Sequence, residues 1–295
     1  MSESHPMELI SPYDVNSADG PYPFDLFERK CLAQGDSWFS LGALPPYKTT
    51  NLLREMRLLR SVVTVNCARP GKVLSHMADT TTEPLFLRLL TGRSAWKWDA
   101  ILLSGFGNDA IDATGVPPTE APASRVLATE AERGGLQVPV GSYFSAPGWQ
   151  TFEEHMAFVF NQLMDNRDSG INRGTPVILH NYHDLQPSLA GAGFHFGPWI
   201  EPALRAFNVP AEDHLAVAAA LIARIDDLMR RLIAARLATG NAGPILVADT
   251  RSVTLTLAAP DATGRSGDFA NEIHPTPAGY AKLAVPFSRL LDQVL

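Results

Sequence analysis

Four short stretches of this 295-residue chain hold residue types that can do covalent chemistry together. Gly35-Asp36-Ser37 ends a short apolar run that begins at Cys31. Gly71 follows Arg69-Pro70, Gly107-Asn108-Asp109 follows a second apolar run, and His274-Pro275 lies near the C-terminus. Each has an ordinary structural use: Gly-Asp-Ser is turn chemistry, Gly71 a turn glycine, Asn108 a helix cap and His274 a residue that precedes proline. Together they supply a hydroxyl nucleophile, an imidazole base and amide donors for a developing oxyanion, the set that acyl transfer requires. A serine at a strand-to-helix turn has its N–H near a helix N-terminus, where partial positive charge favours an anion. Glycine at position 71 lets the backbone approach a substrate with no Cβ in the way. An asparagine amide donates without ionising.

Placing those residues takes a scaffold, and strand-like and helix-like segments alternate along the chain. Residues 30–35, 61–67, 99–104, 176–180 and 244–250 are short and apolar, which predicts five strands. Helical spacing covers 50–60, 84–90, 151–165, 198–207, 211–237 (with room for one break) and 276–295, the last with Pro277 in its first turn. Strands separated by helices imply a parallel sheet covered on both faces, with right-handed crossovers. Ligands bind outside the carboxyl ends of such strands. Ser37, Gly71 and Asn108 each fall just past a strand end. The expected organisation is a single domain over 1–295, with a Pro- and Gly-containing lead-in of about 27 residues. Irregular insertions are expected near 111–147 and 181–210, and long irregular stretches in compact domains are commonly functional.

Composition narrows the function classes. Hydrophobic residues make up 45% and charged residues 19%, which places the chain among soluble globular proteins. A net charge of -7 with no basic cluster argues against a nucleic-acid partner. The N-terminus has no positive n-region or apolar h-region, and the longest apolar stretches, such as Leu215 to Ile222, are too short to span a membrane. The two cysteines, Cys31 and Cys67, are expected as buried free thiols, without a disulfide framework or zinc site. These points favour a cytoplasmic location, with export by another route left open. Nothing in the pattern sets the oligomeric state.

The order and spacing of the four blocks, from residue 35 to 275, resemble the SGNH (GDSL) hydrolase family of serine esterases and lipases. The resemblance implies a flavodoxin-like, three-layer α/β/α fold on a five-stranded parallel sheet. It implies that Ser37 attacks an ester carbonyl and that His274 takes the serine proton and returns it to the leaving alcohol. The oxyanion hole would be the Ser37 and Gly71 N–H groups and the Asn108 side chain. A small-molecule ester substrate follows, with no cofactor and no metal.

Two departures from that family stand out. The acid expected three residues before the histidine is Asn271, in "NEIH". Either Asn271 or a main-chain carbonyl then orients His274, with Asp268 as the alternative acid; Glu272 is expected to point elsewhere. Phe106 stands where many relatives have glycine, and either packs in the core or narrows the acyl site. In "HNYHD", His180 and His183 are expected to line the substrate; a metal set with Asp184 and His195 is the lesser alternative. "FHFGPWIEP", residues 194–202, reads equally as a lid or as a packed connection. The expected activity is carboxylic ester hydrolysis through an acyl-serine. Thioester hydrolysis, sugar deacetylation, lysophospholipid cleavage and acyl transfer remain open beside it. The rival from another class is a ligand-binding protein on the same scaffold, with Asn271 as a sign of decay.

Overall fold

Strands β1 (Glu8–Ile10), β2 (Arg29–Gly35), β3 (Val62–Asn66), β4 (Ala100–Ser104), β5 (Val177–His180) and β6 (Ile245–Ala248) form one sheet in the order β6-β5-β4-β2-β3-β1. Every neighbouring pair is parallel. The computed structural model describes residues 4–17, 20–40, 50–93, 95–193, 196–240, 243–259 and 261–295. β4 and β5 are buried at every position, as strands covered on both faces should be. Leu102 is paired with Ala33 on one side and Ile178 on the other, which sets the register at the centre of the sheet.

The sheet has six strands where the sequence pattern predicts five. The extra one, β1, comes from the lead-in and pairs with β3 through Leu9 and Thr64. Three residues are too few to show an alternating pattern, so the strand has no signature of its own.

The helices used below are α1 (Ser37–Ser40), α2 (Leu74–Ala78), α3 (Gly107–Thr114), α4 (Ala146–Asp168), α5 (Ile200–Ala206), α6 (His214–Ala238) and α7 (Pro277–Val294). They sort into two packing groups: α7 with Leu52–Glu55, and α2, α3, α4, α5 and α6 with Pro84–Leu90. The helix expected over 50–60 stops at Glu55, and Arg57–Leu58 instead pairs antiparallel with His5–Pro6. Here the lead-in supplies a strand partner that overrides local helical spacing. The segment 111–147 is also less irregular than its composition implies, containing Glu130–Arg133 and Val140–Tyr143 as short helical turns. No helix among the described residues is long and apolar enough to cross a membrane.

The strand order reverses at β2, whose neighbours are β4 and β3, and α/β sheets bind ligands at such a reversal. Ser37 follows β2 and Asn108 follows β4, so the two residues flank the crevice. Gly35, paired in register with Ser104, makes this edge possible. A Cβ there would lie 2.6 Å from the Ser104 Cβ and 2.9 Å from its carbonyl oxygen. Gly35→Ala is expected to lower stability by about 1–3 kcal/mol, because backbone must shift beneath the Ser37 turn. Urea unfolding checks this, and an unchanged midpoint contradicts it.

Candidate active site

Ser37 opens α1 directly after β2, and His274 sits two residues before the Thr276 cap of α7. The Ser37 Oγ lies 2.6 Å from His274 Nε2. On the other side of the ring, Nδ1 lies 3.1 Å from Asn271 Oδ1. That same oxygen accepts the backbone N–H groups of Ile273 at 3.1 Å and His274 at 2.9 Å. Main-chain N–H groups only donate, so the atom they meet is the side-chain amide oxygen and not its nitrogen. The His274 Nδ1 facing it therefore carries the hydrogen, and Nε2 presents a lone pair to the Ser37 hydroxyl. Burial pushes the His274 pKa down to about 4, which keeps the ring neutral at physiological pH.

The acidic neighbours are engaged elsewhere. Asp268 binds the Lys282 ammonium at 2.5 Å and accepts Thr256 N–H at 2.6 Å; it is not the acceptor for His274. Glu272 is buried, and its carboxylate accepts N–H groups from Ser188, Trp199, Ile200 and Glu201. It fastens residues 188–201 to the histidine loop. Burial of Glu272 raises its pKa, against the four N–H groups that favour the anion.

Asn108, in the first turn of α3, donates one amide N–H to the Lys72 carbonyl at 3.1 Å. A primary amide has a second N–H to offer. Asn108 lines a cavity of about 280 Å³ together with Ser37, Gly71 and His274. Gly71 has φ +73°, and a Cβ there would meet nothing within 4 Å. Glycine suits the left-handed backbone at this position. Ile111, Phe196 and Trp199 form apolar walls, with the Trp199 ring edge-on to His274 at 6.2 Å. Two residues of the 194–202 stretch therefore line the cavity.

Beneath Ser37 lies a polar and aromatic layer that carries no motif of its own. Asp36 is buried and accepts from Trp38 N–H at 2.9 Å, Ser104 Oγ at 2.7 Å and Tyr182 OH at 2.5 Å. Burial pushes the Asp36 pKa up to about 6, opposed by these donors. The Trp38 indole N–H donates to the Ile273 carbonyl at 3.1 Å, which bolts the serine turn to the histidine loop. Trp38 and Tyr182 are the functional candidates that motif reading missed. The only signals were the aromatic residue after Gly-Asp-Ser and the tyrosine between the two histidines of "HNYHD".

Three expected lining residues lie outside the cavity. His180 stacks on Trp38 at 5.3 Å, and its Nε2 lies 2.9 Å from Ser104 Oγ. His183 Nε2 and Nδ1 lie 3.1 Å from the Val253 and Asp184 carbonyl oxygens. Phe106 is fully buried against Phe160 and so belongs to the core. Its φ of +80° explains why glycine suits the position; a non-glycine residue there costs about 1–3 kcal/mol. His195 lies outside the described residues. Among those described, no group of three or more histidine, cysteine or acidic side chains is placed to hold a metal.

No family model matches the chain, and no curated protein matches it. Solved structures with a similar chain path include a carbohydrate acetylesterase family member from Sinorhizobium meliloti. It has 13% identity and a TM-score of 0.49, over 90% of this chain and 99% of that one. The inhibitor-bound aryl esterase of M. smegmatis has 12% identity and a TM-score of 0.43, over 90% of this chain and 100% of that one. A Clostridium thermocellum family 3 carbohydrate esterase has 10% identity and a TM-score of 0.43, over 90% of this chain and 96% of that one.

The His274 tautomer can be read directly. By NMR, His274 should titrate near pH 4 with the hydrogen on Nδ1 throughout the neutral range. Asn271→Asp should raise that midpoint by about one to three units, because a carboxylate stabilises the imidazolium. A midpoint that stays put in the variant contradicts the assigned contact.

Proposed function

We propose that this chain is a carboxylic ester hydrolase working through an acyl-Ser37 intermediate. The observation that carries the reading is the pair of contacts on His274: Ser37 Oγ 2.6 Å from Nε2 and Asn271 Oδ1 3.1 Å from Nδ1. Ser37 Oγ attacks the ester carbonyl carbon while its proton passes to Nε2. The carbonyl oxygen becomes an oxyanion and is held by the Ser37 and Gly71 N–H groups and the Asn108 amide. Collapse breaks the bond to the alcohol oxygen, which leaves with the proton from Nε2. Water then attacks the acyl-serine, giving its proton to Nε2, and the second collapse frees the carboxylic acid and Ser37. Both half-reactions pass every proton through one nitrogen, so a fixed tautomer is the first requirement.

Asn271 meets that requirement without a charge. In a Ser-His-Asp protease, asparagine in place of the acid costs about ten-thousandfold in turnover through the wrong tautomer. Here the amide oxygen is turned toward the ring by the Ile273 and His274 N–H groups. The arrangement is closer to Cys-His-Asn proteases, where an asparagine orients the histidine. Cys31 and Cys67 are both buried free thiols, which suits the reducing cytoplasm expected from the sequence.

A fluorophosphonate probe should label Ser37 in the folded wild type and leave Ser37→Ala unlabelled; folded wild type that resists the probe overturns the reading. Asn108→Ala should lower kcat by about a hundredfold or more while the fold persists. The acid limb of kcat/KM reports the free-enzyme base, which is lost only as pH falls through its depressed value. That limb should lie near pH 4. A limb near 6.5, the ordinary histidine value, contradicts the assignment.

A further inference from the structure

We infer that the site is divided into an acyl slot and an alcohol chamber, and that its substrates are short-acyl esters, acetyl above all, of apolar alcohols without negative charge. This rests on the ester-hydrolase reading and adds which part of the ester meets which wall. Two cavities share walls at Ser37. The larger, about 280 Å³, is bounded by His274, Gly71, Phe196 and Trp199. The smaller, about 20 Å³, is bounded by Trp38, Gly107, Tyr182, Leu185 and Ile222. Ser37, Asn108, Ile111 and Ile273 line both, so a carbon bonded to Ser37 Oγ is placed between them.

The chemistry orients the substrate. The departing alcohol oxygen must receive its proton from His274 Nε2, so the alcohol occupies the chamber that His274 lines. His274 is not among the residues lining the slot. With the oxyanion held at Asn108 and Gly71, the remaining substituent of the tetrahedral carbon, the acyl chain, is directed into the slot. A space of about 20 Å³ holds roughly one water-sized sphere, which suits a methyl group.

The slot is closed by fixed groups. Trp38, Tyr182, Leu185 and Ile222 are each at most 5% exposed. Tyr182 is held by its 2.5 Å bond to Asp36. Gly107 meets the Tyr182 ring so closely that a Cβ would lie 2.6 Å from it. Longer acyl chains must push these walls apart, and one methylene of misfit is worth about 10–200-fold in specificity. The alcohol chamber is roomy and apolar, and Asp112 adds a carboxylate to its lining. Of the described residues lining it, only His274 can carry positive charge. Alcohols bearing phosphate or carboxylate are therefore disfavoured, which argues against lysophospholipids and nucleotide-borne thioesters.

The test uses the full chain with p-nitrophenyl acetate, butyrate and octanoate, subtracting the rate of Ser37→Ala. Expected is a fall in kcat/KM of at least about tenfold from acetate to butyrate, and a further fall to octanoate. Leu185→Ala or Ile222→Ala should shrink the acetate-to-butyrate ratio. A Ser37-dependent profile that is flat or rises toward octanoate overturns the partition and leaves ester hydrolysis standing. Absence of Ser37-dependent turnover of every ester, with no probe label on Ser37, overturns both. Where a wall variant does not fold, the second arm needs neither. Wild type should prefer phenyl acetate to para-acetoxybenzoate, and Asp112→Asn should narrow that preference. Equal rates on the two acetates, unchanged by Asp112→Asn, overturn the assignment of the alcohol chamber.

Discussion

One amide oxygen holds the protonation pattern of the site. Asn271 Oδ1 receives the Ile273 N–H, the His274 N–H and the His274 Nδ1 hydrogen within one tight loop. The two backbone donors are fixed by the chain path and cannot change polarity, so the side-chain amide cannot flip without losing both. Leaving two buried N–H groups unpaired would cost about 1–3 kcal/mol each. That cost is what fixes the ring tautomer. An orienting residue usually acts through its charge; here it acts through the backbone that orients it in turn.

The serine side is held by a different device. Asp36, although adjacent to Ser37 in sequence, points beneath the turn, where three donors meet its carboxylate. Trp38 covers this group, stacks on His180 and ties its indole N–H to the carbonyl of Ile273, the residue before His274. The serine turn and the histidine loop are more than 230 residues apart in sequence, with the 2.6 Å contact separated by 237 positions. The layer thus links sheet geometry, set by the close pairing of Gly35 and Ser104, to the contact between Ser37 Oγ and His274 Nε2.

The sheet was legible in the sequence because its central strands are nearly continuous apolar runs. The lead-in strand Glu8–Ile10 was not, since three residues have no periodicity to read. The helix after residue 50 stops short of its apolar spacing because Arg57–Leu58 pairs with His5–Pro6, far off in the chain, which local spacing cannot anticipate. Ser37, Gly71, Asn108 and His274 stand out as short words of unusual composition. Trp38 and Tyr182 do not, because a buried aromatic residue looks the same whether it fills a core or supports a nucleophile. His180 and His183 drew attention by residue type, yet one stacks on Trp38 and both bond to neighbouring polar atoms away from the cavity. Residue type is visible in a sequence; the direction of a side chain is a property of packing.

The neutral partner and the burial of His274 act in the same direction, and together they define what this imidazole could do as the proposed base. Burial disfavours imidazolium, and Asn271 offers it no opposing charge, so the resting ring is neutral over almost the whole accessible pH range. A base with so low a pKa accepts a proton reluctantly, which weakens general-base assistance for a serine hydroxyl. In the proposed mechanism the missing counter-charge appears only as the reaction proceeds, when the oxyanion develops beside the protonated ring. Stabilisation of that ion pair is then specific to the transition state, which is where binding energy accelerates a reaction. It also places more of the demand on the donors around the oxyanion than a charged triad would. The close approach of Gly107, the residue before Asn108, to the Tyr182 ring suits that demand, because a donor set that carries more of the barrier tolerates less displacement.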